Sequence, residues 1–293
     1  MAVIQEVRPQ GLALAGRRPA ARHIRGSQVL VYVLLALGAL VVGYPFFYML
    51  MNSVKPGPEI LHAANSLPSQ ITWTGYTGVF GALNMARLYA NSLILAISIT
   101  ILNTVLSGLA AYALAKIPFP GRNQLFAFML ATMMIPSVLF LIPVYVLMYR
   151  IGWVGHFQAL IIPSAISVYN IFLLRQFIQG LPNELIEAAH LDGASEPGVF
   201  LRVVMPLARP ALVTVAILSF MASWNDFIGP LLYLNKPETW TVQLGLYQFT
   251  AGVPGQNAQQ IWAATTLITL PLIILYFLLQ DQFMQAFANV SFK

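Results

Sequence analysis

Cysteine is absent from all 293 positions. That excludes a disulfide framework, a thiolate metal site and a cysteine nucleophile, and it leaves the redox compartment unread. Charge is nearly as scarce, with Asp, Glu, Lys and Arg making up 8% of the chain against roughly 25% in soluble domains. Other chemistries lack their parts. No Gly-x4-Gly-Lys-Ser/Thr loop occurs, so the chain has no phosphate cradle with which to bind ATP itself. The histidines, His23, His62, His156 and His190, do not pair at metal-ligand spacing. Serines are plentiful, yet no Gly-x-Ser-x-Gly elbow accompanies them. The net charge of +6 could suggest nucleic acid, but its placement follows membrane topology instead.

What is present is apolar surface, 58% of the residues. Crossing ~30 Å of hydrocarbon takes about 20 helical residues. Stretches at 28–51, 89–114, 123–149, 157–178, 210–233 and 261–280 meet that length. The expected fold is all-α, a polytopic membrane bundle of six transmembrane helices. Pro136, Pro143, Pro163, Pro230 and Pro271 predict kinks or broken helices, which membrane spans tolerate when neighbours satisfy the freed carbonyls. The first run is too long for the apolar core of a signal peptide, so it reads as an uncleaved span.

Lys and Arg set the orientation. One side collects Arg8, Arg17, Arg18, Arg22, Arg25, Lys116, Arg122, Arg175, Arg202, Arg209 and Lys293, and the other Lys55, Arg87, Arg150 and Lys236. The richer side is the cytoplasm. This divides the chain into a basic cytoplasmic tail at 1–26, a six-span domain at 27–285 and a cytoplasmic tail at 286–293. The domain contains an external loop at 52–88 and a cytoplasmic loop at 180–206.

The cytoplasmic loop is the largest polar island. Asn183 is placed to cap a helix whose first turn holds Glu184 and Glu187. Gly193 supplies a left-handed stop, and Ser195 caps a second helix with Glu196 and Pro197 in its first turn. Leu185, Ile186 and Ala189 share one face of the first helix; Glu184, Glu187 and Leu191 share the other, two carboxylates around a leucine knob.

Glu187-Ala188-Ala189, three residues, Gly193, nine residues, then Val203-Val204-Met205-Pro206 resembles the EAA loop of permease subunits in binding-protein-dependent ABC importers. The resemblance implies a coupling helix that docks into a cleft on an ATP-hydrolysing subunit. Glu184, Glu187, Ala188, Ala189, Leu191, Asp192, Gly193 and Pro206 would be its ATPase-coupling residues. It also implies partners: a second homologous permease, two ATP-binding subunits that hold ATP and Mg, an extracytoplasmic sugar-binding protein and membrane lipid. On this reading the chain is not an enzyme and has no cofactor or metal of its own. It sits as a multi-pass protein in a prokaryotic inner membrane with both termini cytoplasmic.

Asp226 is the one carboxylate within an expected span. Counting ~1.5 Å per residue from Pro210 places it about 24 Å from the inner surface. It faces a cavity or marks a helix end at the interface. Trp224-Asn225-Asp226-Phe227 resembles a tetrapeptide of maltose-type permeases. In the second span Asn103 and Ser107 share a face and either bond helix to helix or touch solute. Asn103, Ser107, Trp224, Asn225 and Asp226 are therefore the candidate substrate-pathway residues. In the external loop, Leu67-Pro68 and Trp73 resemble the outer loop of sugar-importer permeases, a lid for a binding protein or a plain connector. Leu279-Gln280-Asp281-Gln282-Phe283 resembles the tail of similar permeases, which departs here at Ala286. So little fixed charge suits a neutral hydroxylated cargo. The readings left open are an ion-gradient-driven secondary transporter, a membrane enzyme and an ABC permease for a glycerol phosphate.

Overall fold

The computed structural model describes residues 26–63, 65–250, 255 and 257–290, with the side chains of 26–28, 279 and 281–290 left aside. The basic tail to Arg25 and the side chains of Asp281, Gln282, Phe283 and Ala286 lie outside the described residues. Every described element is helical. The chain divides into two units, Met1–Phe47 and Tyr48–Lys293. The described part of the first is helix from Gly26 onward, with its apolar side chains facing out from Val29 to Phe47.

In chain order the helices are α1 (Gly26–Ser53), α2 (Gly57–His62), α3 (Thr74–Ala82), α4 (Met85–Lys116), α5 (Arg122–Thr132) and α6 (Leu141–Arg150). Then come α7 (Gln158–Ile161), α8 (Val168–Gln179), α9 (Asn183–Leu191), α10 (Glu196–Val199) and α11 (Met205–Leu207). The last four are α12 (Arg209–Trp224), α13 (Ile228–Tyr233), α14 (Val242–Thr250) and α15 (Ala258–Val290).

The organising element of the second unit is α4, 32 residues and so about 48 Å long. Asn84 starts it by accepting the Arg87 amide at 3.1 Å. Leu88, Ser92, Leu95, Ile99, Asn103, Ser107, Ala111 and Leu114 are buried at steps of three and four, a single stripe along the rod. The start of that stripe, Leu88 and Ser92, meets α14, and the rest of α4 packs chiefly on α8 and α12.

Among the described residues, three helices are long and apolar enough to cross a membrane: Val29–Ser53, Met85–Lys116 and Ala258–Leu278. The number is five if each of two sharply bent pairs counts as one span. The remaining expected spans are not single rods. The 123–149 stretch bends by 86° between α5 and α6, where Pro136 disfavours helix at Ile135. The 157–178 stretch is interrupted between Ile161 and Val168, around Pro163. The 210–233 stretch stops at Trp224 and restarts at Ile228. Pro143 and Pro230 break nothing because each lies in the first turn of its helix. Pro271 is carried inside α15.

The loop expected at 52–88 is folded. Lys55, fully buried, donates from Nζ to the carbonyls of Ala63 at 3.0 Å and Ser66 at 2.6 Å. The Glu59 carboxylate accepts the Ser69 hydroxyl and its amide, and these bonds hold its pKa below the ordinary value. Gln259 of α15 donates to Thr72 at 2.8 Å. Gly75 lies so close to Gln259 that a Cβ would meet its carbonyl oxygen at 2.7 Å.

Candidate functional site: a surface elbow and a polar cavity

The polar island forms an elbow of two helices. The turn after α9 follows the sequence logic in detail: Gly193 has φ +82°. The Gly193 amide donates to His190 and the Ala194 amide to Ala189, both at 3.0 Å. These paired bonds satisfy the last carbonyls of α9 as a Schellman cap. Below the turn, α10 passes through a π-helical turn, Phe200–Val204, into α11, and the chain then bends by 83° into α12.

Several details differ from expectation. Pro182 occupies the α9 cap position and Asn183 is its first helical residue. The Asn183 side chain instead accepts from Lys116 Nζ at 2.7 Å. Ser195 sits at the start of α10 without a side-chain capping bond. Only Glu184 lies in the first turn of α9; Glu187 falls in the second. Ile186 is buried and Ala189 half-buried, but Leu185 is exposed, so the packed face is narrower than the periodicity implies. On the outward face the pattern holds. Glu184, Glu187, Ala188 and Asp192 are exposed around Leu191, which is 89% exposed. Pro206 is also exposed.

The elbow is tied to the end of α4 by two groups that the sequence did not single out. Lys116 Nζ donates to the Leu181 carbonyl at 2.6 Å as well as to Asn183. Tyr112 OH donates to Glu196 Oε2 at 2.6 Å, and His190 Nε2 lies 3.5 Å from Glu196 Oε1. Arg175 of α8 donates to the Leu114 carbonyl at 3.2 Å and lays its guanidinium 4.0 Å over the Phe126 ring. The only sequence sign of this arrangement was the position of Lys116 and Tyr112, one turn apart where an uncharged run ends.

Further along α4, a cavity of about 500 Å³ opens between α4, the α7–α8 segment and α12. Asn103 and Asp226 both line it. Asn103 Oδ1 accepts from Asn170 at 2.7 Å and Ser107 at 3.2 Å, while its Nδ2 donates to the Ser164 carbonyl at 3.0 Å. Asn170 Nδ2 also donates to Ser219 at 3.0 Å. Buried amides bonded this way fix three helices in one register.

The other three pathway candidates lie elsewhere. Ser107 is buried beneath Asn103. Trp224 is buried and donates to the Ile268 carbonyl at 3.2 Å. Asn225 is exposed and bonds back to Met221. The tetrapeptide shared by Trp224, Asn225 and Asp226 concealed their split, because the helix ends at Trp224 and neighbouring residues there have different surroundings. Ser164, Ser167, Tyr169, Asn170, Ser219 and Ser223 complete the polar lining. They come from segments whose juxtaposition no local pattern announces.

The family model described as "Binding-protein-dependent transport system inner membrane component" matches residues 103–289. The arabinooligosaccharides transport system permease protein AraQ of Bacillus subtilis is 31% identical over 263 residues, covering 88% of this chain and 92% of its own length. The diacetylchitobiose uptake system permease protein NgcG of Streptomyces coelicolor is 28% identical, covering 94% and 92%. Among solved structures, a bacterial ABC transporter involved in import of the acidic polysaccharide alginate superposes with a TM-score of 0.76. The identity is 24%, covering 90% of this chain and 99% of that one. With the family model matching residues 103–289 and a 31% identical permease relative covering 88% of the chain, this protein belongs to the inner-membrane permease components of binding-protein-dependent transport systems.

Proposed function

We infer that this chain forms half of the membrane pathway of an ATP-driven importer for a sugar or oligosaccharide. The observation that carries the reading is the elbow: a helix closed by a Schellman cap that presents Leu191 on a surface carrying the exposed carboxylates Glu184, Glu187 and Asp192, and that is tied to α4 at its start. A separate ATPase with a complementary apolar cleft and basic rim is the partner this surface fits. The small, exposed Ala188 permits close approach, while Ala189 packs against the core of this chain. Closure of the paired ATPases moves α9 as a lever, and the helices tied to it follow as rigid bodies. ATP and Mg are held by those partners; this chain supplies the path and performs no reaction of its own.

A carbohydrate cargo follows from the named transport of the arabinooligosaccharide and diacetylchitobiose relatives, and delivery by an extracytoplasmic binding protein from the family description. A second homologous permease would complete the pathway. The charge distribution supports a cytoplasmic elbow and cytoplasmic termini.

The test is reconstitution of the full importer with Leu191→Asp. Sugar uptake driven by ATP should fall at least tenfold, with the ATPase subunits lost from, or idle on, the complex. Uptake that persists without ATP but stops when ion gradients are collapsed would replace this reading with a secondary transporter.

A further inference from the structure

The cavity holds one formal charge, and its sign is negative. Its lining has Asp226, the two amides, the serines and Tyr169, with no Lys, Arg or His among the residues that form it. Asp226 sits in the break between α12 and α13, where its Oδ1 accepts the Gly229 amide at 3.1 Å. Gly229 makes this possible, because a Cβ there would collide with the Asp226 carboxylate and with Leu160. The carboxylate is therefore held in place by backbone, and among the described residues no cation pairs with it.

The amide network leaves a defined set of groups for a ligand. Both Asn170 Nδ2 protons are used on Asn103 and Ser219. The Asn170 carbonyl oxygen and the Ser164 and Ser223 hydroxyls take no hydrogen bond from the described residues, and none is a sealed, unsatisfied atom. Tyr169, 49% exposed, adds an aromatic face. Acceptors, rotatable hydroxyls and one carboxylate are what a molecule rich in O–H donors requires. The volume is within the usual range of small-molecule sites.

Resting on the permease reading above, we propose that this cavity receives an uncharged, hydroxyl-rich saccharide segment, with Asp226 accepting its hydroxyls and turning away anionic cargo such as uronates and sugar or glycerol phosphates. An anionic group brought beside Asp226 meets like charge with no cation to offset it, in surroundings less polar than water. A neutral sugar gains charge-assisted hydrogen bonds from the same carboxylate.

The experiment uses the assembled importer in nanodiscs without its binding protein, so that selection by that protein does not enter. Saturation-transfer NMR compares arabinotriose and maltotriose with trigalacturonate and glycerol 3-phosphate. The wild type should contact a neutral probe and discriminate against the anionic ones at least tenfold. Asp226→Asn keeps shape and the Gly229 bond while removing the charge, and should erase most of that discrimination. Gly229→Ala, which displaces the carboxylate without altering charge, should weaken the neutral probe's signal.

Equal binding of anionic and neutral probes by the wild type, discrimination unchanged in Asp226→Asn, or no saccharide contact at all overturns the proposal. ATP-dependent uptake of a sugar by the wild-type complex is measured alongside. If uptake is present while Asp226 proves irrelevant, only this inference falls; if it is absent, the function reading falls first.

Discussion

Replacing Lys116 with Met should loosen the elbow without unfolding the bundle. The ammonium makes two short bonds, to the Leu181 carbonyl and to Asn183, and hydrogen bonds to charged groups contribute about 1.5–3 kcal/mol each. Lys116 is half-exposed, so water replaces part of what is lost and the lower figure applies, giving about 3 kcal/mol for the pair. That corresponds to about a 10²-fold rise in local opening of α9, since 1.4 kcal/mol is a factor of ten. Met retains the apolar stem, so packing is little changed.

The companion change, Tyr112→Phe, removes one bond to the exposed carboxylate of Glu196 and should cost about 1 kcal/mol. Amide hydrogen exchange on the assembled importer reads the effect directly. Exchange across 183–199 should accelerate by about 10²-fold in Lys116→Met and by about fivefold in Tyr112→Phe. The buried stripe of α4 should remain protected. The same complexes should hydrolyse more ATP per sugar imported, because a loose lever moves without carrying the spans. Unchanged exchange in α9 together with wild-type stoichiometry in the Lys116→Met, Tyr112→Phe double variant would refute the idea that α4 anchors the elbow.

Gly193→Val should distort the elbow at a local cost of about 1–2 kcal/mol from its left-handed backbone; no neighbour lies within 4 Å of a Cβ there, so the loss should appear in ATPase coupling rather than in the yield of folded protein. Asn170→Leu strands buried partners on Asn103 and Ser219 and should lower stability by about 1–3 kcal/mol, read as a reduced melting temperature in detergent. The Glu59 carboxylate, whose pKa is held down by Ser69, contributes loop stability that is complete above the ordinary carboxylate range. That contribution is lost as pH falls through the lowered value. Protease sensitivity of 54–72 should therefore rise only in acid, and Glu59→Gln should remove that step.

The elbow was largely legible in advance because its determinants are local. Gly193 must adopt a conformation other residues resist, and the spacing of Ile186 and Ala189 against Glu187 and Leu191 separates packed from exposed faces within nine residues. The errors there came from competition. Asn183 has a capping side chain, but Lys116, 67 positions away, supplies a stronger partner. Leu185 is apolar, but the groove beneath α9 accepts only Ile186 and Ala189.

The spans were legible as apolar stretches and illegible as rods. Hydropathy reports where a segment can reside, whereas Pro136 and Pro163 disfavour helix at the residue before them and interrupt the rod locally. Asp226 drew attention by its charge and its tetrapeptide, while Asn170 and Ser219 did not, since a neutral polar residue in an apolar run looks the same whether it glues helices or faces a cavity.

Composition and local pattern by themselves determined a membrane-embedded helical protein with an exposed, glycine-stopped surface helix. Both properties depend on side chains within a turn or two of one another, or on totals that ignore order. Tertiary structure alone decided which polar groups meet. It joined Tyr112 to Glu196 and Lys116 to Asn183, and it gathered Asn103, Asn170, Ser219 and Asp226 around one cavity while sending Trp224 and Asn225 away from it. Those pairings come from the packing of α4, α8 and α12 and from the break after Trp224. They depend on how distant helices cross, and no single stretch of sequence specifies that.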